Sequence, residues 1–215
     1  MSREVHVRFC ERRRVQFPPP THLVIMVSGS RADAEALRET AAKVLAPLGL
    51  RLADAKTRVS HINDGIEFLG FRIQRQRKRG TQKRYVYILV SDKAIQSIRR
   101  KVKALTRRSW LGEDPVRHVL RINRMLRGWA NYFQYATGKR VLSQLGWYAR
   151  TRVCRWLRET HKGRRQMTWK EFKRRYIVPK KGLVVGGVTL FNPGSVPILR
   201  YLYRGTTIPT LWMAT

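Results

Sequence analysis

Leu23-Val24-Ile25-Met26-Val27 is an unbroken apolar run, the pattern of a buried strand. Ser28-Gly29-Ser30 turns the chain, and Ser30 with Asp33 three residues on makes a helix start. Apolar residues then fall at Ala34, Leu37, Ala41, Val44, Leu45 and Leu48, the three-and-four spacing of an amphipathic helix over 32–48. Pro47-Leu48-Gly49 closes it. Leu50-Arg51-Leu52 alternates and predicts a short strand. Phe68-Leu69-Gly70-Phe71-Arg72-Ile73 and Tyr85-Val86-Tyr87-Ile88-Leu89-Val90 predict two more, joined by a basic loop from Gln74 to Arg84. The first ninety residues thus read as strand, helix, strand and hairpin.

At Ser91 the period changes from two to 3.6. Ile95, Ile98, Val102 and Leu105 mark one helix, with Ser91 as its cap. Asp114-Pro115 opens a second, through Val116, Val119, Leu120, Met125, Leu126, Trp129, Tyr132 and Phe133. A third holds Val141, Leu142, Leu145, Tyr148, Val153, Trp156 and Leu157. Thr168-Trp169-Lys170-Glu171 is a capping box for a short fourth through Phe172 and Tyr176. From Val178 on, Gly and Pro punctuate the chain, with strand-like pieces at 183–185 and 188–190. The fold class is α+β. The expected organisation is a basic, disordered leader over 1–20 ending in Pro18-Pro19-Pro20, an α+β unit over 21–90, a helical domain over 91–165 and a basic C-terminal extension over 166–215.

Charge sets the functional question. The chain has 46 Lys and Arg against 13 Asp and Glu, a formal net charge of +33, with 43% hydrophobic residues and six Trp. That is enough apolar material for a core, and so much positive charge calls for a polyanionic partner. No apolar run approaches the length of a membrane span, and no signal-peptide core interrupts the basic N-terminus. Cys10 and Cys154 stand too far apart in sequence to form a disulfide framework or a zinc knuckle by themselves, and the five His show no ligand spacing. The expected compartment is a reducing cytoplasm, and no metal site is expected.

The charge is concentrated. From Val116 to the end there are 21 Lys or Arg and two acids, Glu159 and Glu171. Arg121, Arg124 and Arg127 fall three apart on one predicted helix, and Arg152, Arg155 and Arg158 on another. A solvated face would interleave Glu with Arg, so rows with almost no acid to pair with favour phosphate contact. Arg suits bidentate phosphate grip and base stacking. For Trp129 and Trp156 the residue type alone favours core.

Leu126-Arg127-Gly128-Trp129-Ala130-Asn131-Tyr132-Phe133, with Trp156-Leu157-Arg158 downstream, resembles the maturase-specific (thumb, or X) domain of bacterial group II intron-encoded proteins. Upstream, Leu48 to Leu52 with Lys56-Thr57, then Gly65-Ile66-Glu67-Phe68-Leu69-Gly70-Phe71, look like the last palm motifs of those proteins' reverse transcriptase, and Gly187-Val188-Thr189-Leu190-Phe191-Asn192-Pro193 also fits. The resemblance runs over about residues 21 to 212 and rests on the ordered succession of motifs. It implies a partial palm, a helix with short antiparallel strands, followed by a mainly helical thumb bundle and a small irregular tail.

By the same resemblance, Lys56 matches a palm lysine near the incoming nucleotide's phosphates. Phe68-Leu69-Gly70 matches a hairpin that grips the primer end, and Arg127 to Phe133 lie in thumb helices that hold intron RNA. With the arginine rows, the residues expected to meet RNA are Arg121, Arg124, Arg127, Trp129, Asn131, Tyr132, Phe133, Lys139, Arg140, Arg152, Arg155 and Arg158. The family's palm carries a Tyr-Ala-Asp-Asp turn whose aspartates hold Mg²⁺. If Val24 to Val27 is the strand after it, Thr21 and His22 stand in the aspartate positions, and neither replaces a carboxylate. Asp54 and Asp64 read as surface-loop residues. The expectation is a truncated intron open reading frame with no catalytic residues and no cofactor, Mg²⁺ entering only if a complete polymerase assembles in trans. It would bind and stabilise group II intron RNA for splicing in a bacterial cytoplasm. The competing readings are half of a split reverse transcriptase working with a separate finger–palm chain, an inert remnant, and a DNA-target binder.

Overall fold

The computed structural model describes residues 4–9, 23–53, 57–161 and 167–199; of Glu4–Phe9 and Leu23 it describes the backbone alone. The chain divides into two units between Ser91 and Asp92. Helix and antiparallel sheet are both present, as an α+β chain requires.

The first unit contains β1 (Glu4–Phe9), β2 (Leu23–Ser28), α1 (Arg31–Leu45), β3 (Arg58–His61), β4 (Ile66–Phe68), β5 (Phe71–Arg77) and β6 (Arg84–Val90). Two three-stranded antiparallel sheets form, in the orders β2-β1-β3 and β4-β5-β6. Helix α1 starts where the sequence places it: Asp33 Oδ2 accepts from the Ser30 backbone N–H at 2.6 Å and the Asp33 N–H donates to Ser30 Oγ at 3.3 Å. The Ser30 N–H bond, with a second from the Ser30 hydroxyl at 2.8 Å, holds the Asp33 carboxyl below its ordinary pKa. A small apolar centre gathers Ala34 with Ile25, Val27, Ala41, Leu52 and Val59.

Four sequence expectations change here. Glu4–Phe9, assigned to a disordered leader, pairs as β1 with β2 and β3; alternation of Val5, Val7 and Phe9 with His6 and Arg8 carries the period-two signal. The rest of the leader lies outside the described residues. Leu50–Leu52 shortens to an isolated bridge at Leu50, whose N–H bonds the Leu45 carbonyl at 3.1 Å as the helix closes. The expected single strand from Phe68 to Ile73 is two strands. Leu69 and Gly70 have φ of 47° and 80°, so they form a tight two-residue turn that pairs Phe68 with Phe71. The expected loop from Gln74 to Arg84 shrinks to its middle, since β5 runs to Arg77 and β6 starts at Arg84.

The second unit contains α2 (Asp92–Leu105), α3 (Pro115–Tyr132), α4 (Lys139–Thr160), α5 (Trp169–Tyr176), β7 (Ile177–Val178), β8 (Gly182–Val185) and β9 (Val188–Thr189), the strands in the order β7-β8-β9. Pro115 sits at the first turn of α3 while Asp114 accepts the Arg117 N–H at 2.9 Å. The Thr168–Glu171 capping box opens α5. Ile98 and Val102 of α2, Val119, Ile122 and Leu126 of α3, and Leu145, Ala149, Val153, Trp156 and Leu157 of α4 share one buried cluster. Full burial of a side chain such as Leu126 contributes about 1.5–3 kcal/mol.

The same cluster takes in Phe172, Tyr176, Leu183, Val185 and Leu190. The expected boundary at 165/166 therefore has no counterpart in the core, and the chain through Leu199 belongs to the helical unit; residues 200–215 lie outside the described residues. The buried Asn123 side chain of α3 staples this segment down. Its Nδ2 donates to the Thr189 carbonyl and its Oδ1 accepts the Phe191 N–H, both at 2.8 Å. On α4, a Cβ at Gly146 would stand 2.3 Å from Asn192 Oδ1, so only glycine lets the strap pass there. Lys139 Nζ donates to the Val196 carbonyl at 3.0 Å.

Candidate nucleic-acid interface

The outward face of α3 follows from its spacing. Buried Val119, Ile122, Asn123 and Leu126 turn one side to the core, and the opposite side shows Arg117, Arg121, Arg124, Gly128, Asn131 and Tyr132, followed by Tyr135 just past the helix. Steps of three and four align these residues along one line. No acidic residue lies on the helix. Of the two acids after Val116, Glu159 lies 3.9 Å from Arg108 and Glu171 is spent on the α5 cap. Among the described residues no carboxylate comes within ion-pair distance of Arg121, Arg124 or Arg127.

Two of these guanidinium groups lie over aromatic rings. The Arg121 group lies 4.8 Å from the Trp110 ring centroid, and that of Arg127 lies 5.2 Å from the Phe191 centroid. A cation held over a ring face loses rotamer freedom while its edge N–H groups remain able to donate to phosphate. Trp110 itself packs with tilted rings at 5.3 Å on His118, which is buried between Trp110 and Trp156 and whose Nε2 hydrogen-bonds the Leu105 carbonyl. A packed set of tilted aromatic rings therefore backs the Arg121 end of the row.

The predicted residues separate by burial. Arg121, Arg124, Arg127, Asn131, Tyr132, Arg140 and Arg155 are exposed. Phe133 is 4% exposed, its ring packed at 4.5 Å on Trp129 and edge-on to Tyr132, so it belongs to the core rather than to an RNA-facing set. Trp129 is half-buried and packs against two apolar clusters of this unit. Lys139 keeps an exposed stem but ties its ammonium to Val196. Arg152 is half-buried, and its guanidinium is turned to Thr106 at the end of α2. Arg158 is half-buried as well, its Nε fully covered. Three residues of spacing rotate a helix by about 60° backwards, so the α4 row swings from the α2 side past solvent and into the body, and Arg155 alone of the three faces outward.

Arg117 and Tyr135 were missed, although Arg117 stands four residues before Arg121, a spacing the sequence displays. Trp147, also missed, is 71% exposed on α4. In the first unit, Phe68 is half-buried beside the turn and Leu69 is exposed at its tip. Lys56 lies outside the described residues, as do Thr21, His22 and Asp54; Asp64 is exposed in the turn between β3 and β4. Among the described residues no three His, Cys, Asp or Glu gather as metal ligands. No helix there is long and apolar enough to cross a membrane.

A match to a known protein family falls on the same helices. The family described as "Group II intron, maturase-specific domain" matches residues 95–177. Protein YkfC of Escherichia coli (strain K12) is 43% identical over 72 residues, 33% of this chain and 19% of that protein. The chain thus spans about a fifth of the length of the curated relative it matches. The matched stretch runs from α2 to the start of β7 and contains the whole of α3. The chain therefore carries a group II intron maturase-specific domain, and the arginine face of α3 lies inside it.

Proposed function

We propose that this chain binds folded group II intron RNA through the second unit and stabilises it for splicing, the RNA supplying the chemistry. The observation that carries the reading is the α3 face: Arg117, Arg121, Arg124 and Arg127, exposed and without acidic partners among the described residues, with Asn131, Tyr132 and Tyr135 continuing the line. Phosphate contacts from the arginines supply affinity, and the polar and aromatic end suits unpaired bases and 2′-hydroxyl groups. The maturase-specific match over the same helices supports an intron RNA as the partner. Within this proposal the chain acts in a bacterial cytoplasm and contributes no polymerase site.

The test is binding of the purified chain to a group II intron transcript and to a scrambled RNA of equal length across a salt series, with splicing followed in the same reactions. Preference for the intron RNA at near-physiological salt, with faster splicing, is the expected result. Equal and steeply salt-dependent binding to both would leave a non-specific basic surface and remove the maturase reading.

A further inference from the structure

Gly128 lies in the interior of α3, four residues before its end at Tyr132, and is exposed. Glycine inside a helix weakens it relative to alanine, because the unfolded chain has more backbone freedom to lose. Its usual reasons for being there are missing. Its φ is not in the left-handed region, and a Cβ built on it meets no atom within 4 Å. Gly146 on α4 shows the contrast, since its Cβ would collide with Asn192 within the same unit. Nothing in the described fold requires Gly128 to lack a side chain.

Its surroundings supply the requirement. Arg124 lies four residues before it, Asn131 and Tyr132 three and four after, and Arg121 and Tyr135 seven to either side, all exposed on one line. Gly128 is the flat place at the centre of a ridge of phosphate-binding and stacking side chains. We propose that the sugar–phosphate backbone of RNA lies in direct van der Waals contact with α3 at Gly128, the absent Cβ letting the strand approach the helix while Arg124 and Arg121 hold phosphates on one side and Asn131 and Tyr132 meet sugar or base on the other. The inference rests on the RNA-binding reading above and names the place where the strand crosses the helix. A glycine notch also suits a second protein helix, but the acid-free, arginine-lined flanks favour a polyanion.

The contact is uncharged, which gives it its own signature. Gly128→Ala should raise the melting temperature, because alanine favours the helix and its Cβ enters open space. It should also weaken binding to a group II intron transcript roughly tenfold, the scale on which overfilling a close contact acts. The slope of log affinity against log salt should not change, since no phosphate contact is lost. Gly128→Leu should bind more weakly still. Variants that are more stable and bind with unaltered affinity would overturn the proposal. So would Gly128→Ala lowering the melting temperature, which would place the glycine's role inside the fold, or a change in self-association by sedimentation with RNA affinity intact, which would make the occupant a second copy. If the wild-type chain shows no preference for intron over scrambled RNA while Gly128→Ala weakens both alike, the maturase reading fails and the backbone contact stands.

Discussion

Arg152 on α4 closes the end of α2 through Thr106: its Nε donates to Thr106 Oγ1 at 2.9 Å and its Nη2 to the Thr106 carbonyl at 3.1 Å. Thr106 is buried, and its hydroxyl in turn donates to the Val102 carbonyl at 2.8 Å. A guanidinium that looks like part of an RNA-facing row in the sequence is thus a clamp between two helices, placed where α2 presents its unpaired carbonyls and negative dipole end.

Arg152→Ala should therefore cost stability, about 2 kcal/mol for two charge-assisted bonds to a buried group, while Arg155→Ala should leave unfolding by urea nearly unchanged. Stability equal in the two variants would mean that the clamp contributes nothing.

The Asn123 staple is a second structural prediction. Asn123→Ala leaves the Thr189 carbonyl and the Phe191 N–H without their partner. Each buried group so orphaned costs about 1–3 kcal/mol, so the variant should unfold at clearly lower urea, with amide exchange of the 189–196 strap accelerated more than that of α4. Unchanged protection of the strap would show that apolar packing of Leu190 and Val196 suffices to hold it.

How much was legible in the sequence follows from these two residues. The helices of the second unit are written in strong three-and-four spacing, and their capping residues Asp114, Thr168 and Glu171 stand where the sequence places them. Asn123 and Arg152 were not readable as structural, because a polar residue on a helix shows its orientation only once the partner segment is known, and Thr189 lies 66 residues from Asn123. The strap itself reads as an irregular tail, since its apolar residues are few and scattered among Gly and Pro. In the first unit, leucine in the turn at Leu69 hid the break between β4 and β5, because leucine carries no signal for positive φ. Of the candidate face, the arginine row on α3 was legible, and the burial of Phe133 was not, since an aromatic at a helix end fits solvent and core equally well.

Stability should also depend on pH through His161, which caps α4 and hydrogen-bonds the Tyr176 hydroxyl. Burial, with the Arg175 charge adding to it, holds His161 below its ordinary value near 6.5. The unfolded chain then takes up a proton before the folded one as pH falls, so this contribution is intact above about pH 6.5 and is lost as the pH drops below it. Tyr176, pushed up by burial, stays protonated throughout. Urea unfolding at about pH 7.5 and about pH 5.5 should show a loss on acidification that His161→Gln reduces. An equal loss in both proteins would place the sensitivity elsewhere.

If α3 grips RNA phosphates, the salt dependence of RNA binding by the Arg124→Ala/Arg127→Ala double variant will show it. Against one group II intron transcript, the slope of log affinity on log salt should become shallower by about 0.7–0.9 per lost phosphate contact, about 1.4–1.8 for the pair, with stability lowered by no more than about 0.5–1 kcal/mol, the scale of the lost Arg127–Phe191 contact. An unaltered slope in a folded variant would mean that these arginines face away from the RNA, and the interface would have to be sought on another face of the domain.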